Sequence, residues 1–169
     1  MGITFYDTSA LLAAPNIEQL LCGLASSTVY ISHFVLGEIE SIKNSASKSD
    51  EIKAKARRVA RYLLQYPGSF LCENISIHDI EKIKRKYSFL PQNNDGDILA
   101  EALYLSKKYN VTLITADVNM ALFARSMGII VYQFKDTEIA AEPWAGWAKY
   151  YPNEKEMASL YSDPKMNIL

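Results

Sequence analysis

The sequence predicts an α/β protein built on a parallel sheet with helices on both faces. Short runs of β-branched and aromatic residues alternate with helical periods along the chain. No internal repeat or low-complexity tract interrupts that alternation. The 169 residues, 49% hydrophobic, suffice for one domain with a continuous core.

The elements follow in order. Ile3 to Tyr6 reads as a strand ending at Asp7, and Ile17 to Leu24 as a short helix opened by Pro15 and Asn16. Thr28 to Ile31 is a second strand, after which Ser32 caps a helix through Phe34, Val35, Ile39 and Ile42. Residues 49 to 66 place Ile52, Ala56, Val59, Ala60, Leu63 and Leu64 on one helical face, and Pro67 and Gly68 end it. Phe70 to Cys72 is a candidate strand and Ile77 to Tyr87 a helix. The loop PQNND then leads into a helix capped by Asn94 or Asp95 and running to about Tyr109. Val111 to Thr115 is the clearest strand, Val118 to Met127 a helix closed by Gly128, and Ile129 to Tyr132 the next strand. From Asp136 onward the tail, with Trp144, Trp147, Tyr150 and Tyr151, has no strong period. It is expected to wrap over the core as a C-terminal extension, residues 136–169, on a domain of residues 1–135.

Eighteen basic and nineteen acidic residues leave a formal net charge of -1, so any nucleic-acid face must be a local patch. Cys22 and Cys72 lack the paired spacing of a zinc or dithiol site and read as reduced, buried side chains. The opening MGITFYDTSALL has no basic segment before its apolar run, and no apolar stretch approaches the ~20 residues of a membrane span. A cytoplasmic location without membrane attachment is therefore expected.

In a parallel sheet the ligand crevice lies beyond the carboxyl ends of the strands. Asp7 in YDTSALL and Asp117 in LITAD both stand at such ends. Glu38 lies on the helix HFVLGEIESIK, whose apolar residues Val35, Ile39 and Ile42 pack it against the sheet, and Asp95 in NNDGDILAEAL stands at a helix N-terminus. Taken singly, Asp7 or Asp117 is more simply a cap or turn former, and one of Asp95 and Asp97 only a cap; the set of four can share one cleft. Clustered carboxylates repel and raise one another's pKa, so they persist ionised only around a cation. Hard oxygen ligands select Mg²⁺ or Mn²⁺, which activate water and neutralise phosphate charge. The chemistry so indicated is phosphodiester hydrolysis.

These motifs resemble, in order, those of the PIN-domain nucleases over about residues 3 to 135. YDTSALL is similar to the opening strand motif with Asp7 as its acid, and VLGEIESIK to the second block with Glu38. DGDILAEAL is similar to the third, which selects Asp95 over Asp97, and LITADVN to the fourth, with Asp117 as the acid and Asn119 where many members carry another. Asp97 and the neutral Asn119 are additional candidate ligands. Lys43 to Leu64, including KARRVARYLL, resembles the PIN domains of PhoH-type ATPases, but no G-x-x-x-x-G-K-[ST] loop is present, implying a stand-alone version. The resemblance implies a three-layer α/β/α sandwich and a metal-dependent endoribonuclease acting on single-stranded RNA. It also implies an antitoxin protein and a second copy of the chain as partners. Ser9 and Thr115 would orient a carboxylate or a water.

Lys43, Lys48, Lys53, Lys55, Arg57, Arg58 and Arg61 crowd one segment, and Lys43, Arg57, Arg58 and Arg61 are the candidate phosphate contacts. Against this, Lys53, Arg57 and Arg61 also fit the solvated face of an amphipathic helix. The aromatic tail could stack on bases or anchor an interface. His33 and His78 lack a Ser or Cys partner at motif spacing, which argues against nucleophilic catalysis. Two further classes compete. One is a PIN-like module that binds RNA or protein without cutting. The other is a response-regulator-like phosphatase, whose signature lysine is not found at the expected strand end.

Overall fold

A computed structural model describes residues 2–22 and 27–133, which fall in one unit, Met1–Ile139. The aromatic tail and the expected extension 136–169 lie outside the described residues, as does the side chain of Cys22. Cys72 is only half-buried.

The expected α/β class is what forms: four parallel strands flanked by helices. Strands β1 (Gly2–Tyr6), β2 (Thr28–Tyr30), β3 (Asn110–Thr115) and β4 (Ile130–Gln133) lie in the order β2, β1, β3, β4. Ile3 pairs with Thr28 on one side of β1 and with Val111 on the other. Ile3 through Tyr6 are all buried, as expected for an interior strand covered on both faces. The chain moves outward from β1 to β2, then returns to β3 on the other side of β1. That reversal is a topological switch point, and it opens a crevice at the carboxyl ends of β1 and β3.

Between the strands run α1 (Thr8–Ala13), α2 (Ile17–Cys22), α3 (His33–Asn44), α4 (Asp50–Gln65), α5 (Ile77–Lys86), α6 (Asn94–Leu105) and α7 (Val118–Ser126). Ser32 caps α3 as expected, its Oγ accepting from Val35 N at 3.1 Å. Gly128 closes α7 at φ 80, a conformation open to glycine without strain.

Several local expectations shift. Helix α1 was not foreseen; Asp7 starts it directly after β1, its carboxylate accepting from Thr8 N. The candidate strand Phe70 to Cys72 shrinks to one bridge, Leu71 beside Tyr30, with Leu71 N bonded to Val29 O at 2.8 Å and Ile31 N to Leu71 O at 3.1 Å. On α4 the buried stripe is Ala56, Val59 and Leu63, whereas Leu64 is 83% exposed, one step round the helix from the seam. Asn93, rather than Asn94 or Asp95, caps α6, its Oδ1 accepting from Gly96 N at 3.2 Å. This cap draws the preceding loop close. A Cβ on Gly96 would fall 1.8 Å from the Pro91 carbonyl oxygen, so the loop and α6 fit only around glycine.

Candidate active site

Asp7, Glu38, Asp95 and Asp117 line one cleft of about 370 Å³ at the switch point. Asp7 is its buried floor at 3% exposure. The Asp7 N–H continues the sheet ladder to Ile114 O at 3.0 Å, which fixes the residue at the strand end. Its Oδ1 accepts from Thr8 N at 2.7 Å, and Oδ2 accepts from Ser9 Oγ at 2.6 Å and Thr115 Oγ1 at 2.8 Å. A carboxylate offers about four lone-pair sites, so one on Oδ1 is left uncommitted by these three donors. Burial, joined by the negative charge of Glu38, pushes the Asp7 carboxyl above the usual carboxylate range, while Ser9, Thr115 and Thr8 pull it back down.

Glu38 is held by one oxygen. Its Oε2 accepts from Thr8 Oγ1 at 2.8 Å and from Asn94 Nδ2 at 2.9 Å. Both donors occupy the same atom, which leaves Oε1 open. Asp117 caps α7, its Oδ1 accepting from Asn119 N at 2.7 Å and Met120 N at 3.0 Å. The Asp117 N–H in turn reaches Thr115 Oγ1 at 3.0 Å and Ser9 Oγ at 3.2 Å. Ser9 and Thr115 therefore tie Asp7 to the turn that carries Asp117. Asp95, half-buried in the first turn of α6, accepts from Asn93 Nδ2 at 3.2 Å.

The remaining candidates stand elsewhere. Asp97 pairs with Lys84 at 2.6 Å in a second cleft between α3, α5 and α6, and Asn119 is exposed and does not line the acid cleft. Lys43 is paired with Glu40 at 2.6 Å, and Arg58 donates to the carbonyls of Ala14 at 2.6 Å and Pro15 at 3.0 Å, closing the C-terminus of α1. Arg57 and Arg61 are exposed on α4, and none of these four cations lines the cleft. Lys48 and Lys55 do. Sequence reading had Asn94 only as a cap and Thr8 not at all; adjacency to Asp95 and Asp7 was the one available signal.

Among the described residues, no three His, Cys, Asp or Glu side chains close into a ready ligand shell. The donor chemistry nonetheless fits Mg²⁺ or Mn²⁺: hard oxygens only, with open lone pairs on Asp7 Oδ1 and Glu38 Oε1. Mg²⁺ commonly binds through one or two carboxylates and keeps several waters. A cation there would also relieve the repulsion between Asp7 and Glu38.

Among solved structures the chain is similar to a domain of a functionally unknown protein from Methanocaldococcus jannaschii, at TM-score 0.56 and 22% identity over 90% of this chain and 100% of that one. It is similar to VapBC2 from Rickettsia felis, bound to a DNA fragment from its promoter, at 0.53 and 18%, covering 79% and 99%. It also resembles VapBC-5 from Mycobacterium tuberculosis, of a family of toxin-antitoxin systems, at 0.50 and 16%, covering 79% and 100%. At these identities the likeness establishes the fold alone. No curated protein matches. The PIN domain model matches residues 5–135, most of the chain, and with the fold and the acid cleft in agreement the chain belongs to the PIN domain family, whose members are generally nucleases.

Proposed function

We propose that the chain is a Mg²⁺- or Mn²⁺-dependent endoribonuclease that hydrolyses phosphodiester bonds of single-stranded RNA in the cytoplasm and acts as the toxin of a toxin-antitoxin pair. The observation that carries this reading is the convergence of Asp7, Glu38, Asp95 and Asp117 on one cleft in a PIN-family chain. The toxin role rests on likeness in fold to VapBC proteins. Kinship with the PIN domains of PhoH-type ATPases rests on Lys43 to Leu64 alone, within a stand-alone chain. No helix among the described residues is long and apolar enough to cross a membrane.

A bound ion supplies charge neutralisation at the phosphate and acidifies a water. The protein's own part is geometric. Thr8, Ser9 and Thr115 hold Asp7 by three hydrogen bonds that leave one Oδ1 lone pair uncommitted, and Thr8 and Asn94 hold Glu38 by Oε2 and leave Oε1 uncommitted. Asp95 and Asp117 join the cleft lining from two helix N-termini, where the backbone field favours negative charge.

Cleavage of a fluorescent single-stranded RNA is measured with Mn²⁺ and with chelator. Wild-type protein should cut only with metal, and Asp7→Asn and Asp117→Asn should each lower the rate by at least about a hundredfold. If both variants cut at the wild-type rate, the reading fails. A module that binds without cutting is the second reading, motivated by the neutral Asn119 where many members carry a further acid. Metal-independent RNA binding with no turnover would establish it instead.

A further inference from the structure

The acid cleft has a second group of lining residues that the nuclease reading leaves unused. Beside the carboxylates it is lined by apolar side chains, Leu12 and Ala13 of α1, Ile42 of α3 and Ile52 of α4, and by Lys48 and Lys55. We propose that this group forms a nucleotide subsite. Lys48 and Lys55 take the phosphate next to the one being cut, and the aliphatic wall receives its unpaired base. The proposal rests on the nuclease reading and deepens it by assigning the substrate contacts.

Position and pairing together single out these two lysines, since Arg57 and Arg61 have no ion pair among the described residues but do not line the cleft. Lys43 and Lys53 pair within their own helices, with Glu40 at 2.6 Å and Asp50 at 3.0 Å, and Arg58 is spent on the end of α1. Lys48 lies in the bend between α3 and α4, and among the described residues it has no ion pair. Lys55 pairs only with exposed Glu51 at 2.7 Å, a surface contact that a phosphate readily displaces. Neither is ion-paired with any of the four cleft acids, so their charge is not consumed in neutralising the site.

The wall fixes the kind of nucleic acid. A base can lie on Ile52, which is 36% exposed, only after it leaves a duplex stack. No amide or guanidinium in this wall reads a base edge, so the subsite takes any base. A cleft of about 370 Å³ is at the small end of ligand sites, suited to one nucleotide rather than a helix.

The test measures binding of a fluorescent 12-nucleotide single-stranded RNA by anisotropy, in an Asp7→Asn background so that no cutting intervenes. Lys48→Ala with Lys55→Ala should weaken binding about tenfold and flatten the slope of log K against log salt by about 1.4, at ~0.7 per single-strand contact. Lys48→Arg with Lys55→Arg should keep the slope, Ile52→Asp should weaken binding several-fold, and a blunt duplex of the same sequence should bind more weakly than the single strand. A slope unchanged by the double alanine variant overturns the lysine assignment. Equal affinity for duplex and single strand, or no effect of Ile52→Asp, overturns the base wall. Because binding is read without turnover, a wild-type protein that cuts nothing would sink the nuclease reading and leave this outcome separately legible.

Discussion

Glu101 provides a test of how the fold tolerates charge away from the cleft. It is 2% exposed on α6, and its Oε1 accepts from Tyr30 Oη at 2.6 Å. Ser32, the cap of α3, also hydrogen-bonds to it, Glu73 adds negative charge nearby, and Tyr109 Oη holds Glu73 at 2.9 Å. Burial dominates these influences and pushes the Glu101 carboxyl from 4.5 up to about 7.

The folded chain therefore holds this proton more tightly than the unfolded chain does. Stability from the neutral form is complete below pH 4.5 and is lost as pH rises toward and through about 7. At ~1.4 kcal/mol per tenfold change in proton affinity, the full loss is about 3 kcal/mol. Between pH 5 and pH 8 most of it should appear. The assay is urea unfolding followed by circular dichroism at both pH values, for wild type and Glu101→Gln. The amide matches the neutral acid in shape, so Glu101→Gln should lose about 2 to 3 kcal/mol less than wild type across that interval. Taking the difference removes other groups: Asp7, raised like Glu101, and Glu40, Asp50 and Glu51, lowered by lysine partners at the surface. If the two proteins lose equal stability, Glu101 is not titrating between its ordinary value and 7, and the reasoning from burial fails.

Asn94→Ala removes one of the two donors on Glu38 Oε2 and should lower metal-dependent turnover about tenfold, with RNA affinity nearly intact, as a comparison of kcat with KM would reveal. Gly96→Ala places a methyl against the Pro91 backbone and should destabilise the fold by about 1–3 kcal/mol or more in urea melts. Arg58→Ala should lower stability by about 1–2 kcal/mol through the freed Ala14 and Pro15 carbonyls while leaving the salt slope of RNA binding unchanged; a flatter slope would make Arg58 a phosphate contact after all.

The sheet was legible because its strands are short apolar runs that stop at acids or polar turns, and Asp7 and Asp117 could be placed at strand ends from that pattern alone. Helix α1 was not legible. Its six residues are too few to display a period, and its start depends on Asp7 serving as both strand end and cap. Phe70 to Cys72 has strand composition, but its pairing was limited to Leu71 by backbone geometry that composition does not encode. Asp95 and Asp97 share one helical turn. What separates them is Lys84, thirteen residues before Asp97 and brought to it by the packing of α5 on α6. The basic segment behaved similarly: its density was visible in the sequence, but the partners that occupy Lys43, Lys53 and Arg58 depend on helical register and on α1.

Like charges gathered in a cleft oppose folding, and the placement of these four acids offsets part of that opposition before any cation binds. Asp7 and Asp117 cap α1 and α7, and Asp95 lies in the first turn of α6, so three of the four sit at the positive ends of helices. Each such placement stabilises a carboxylate by about 0.3–1 kcal/mol. It also follows from the architecture, since helices that leave the carboxyl ends of parallel strands start at the crevice. Glu38 is the exception. It lies in the middle of α3, away from either end, and no helix terminus favours its charge. Its restraint comes from two side-chain donors instead, Thr8 and Asn94, each borrowed from the helix of a neighbouring acid. Asp7 and Asp117 each also accept from backbone N–H groups, whereas Glu38 is held by side-chain donors alone, so losing either donor should loosen it more than losing a single side-chain donor loosens Asp7.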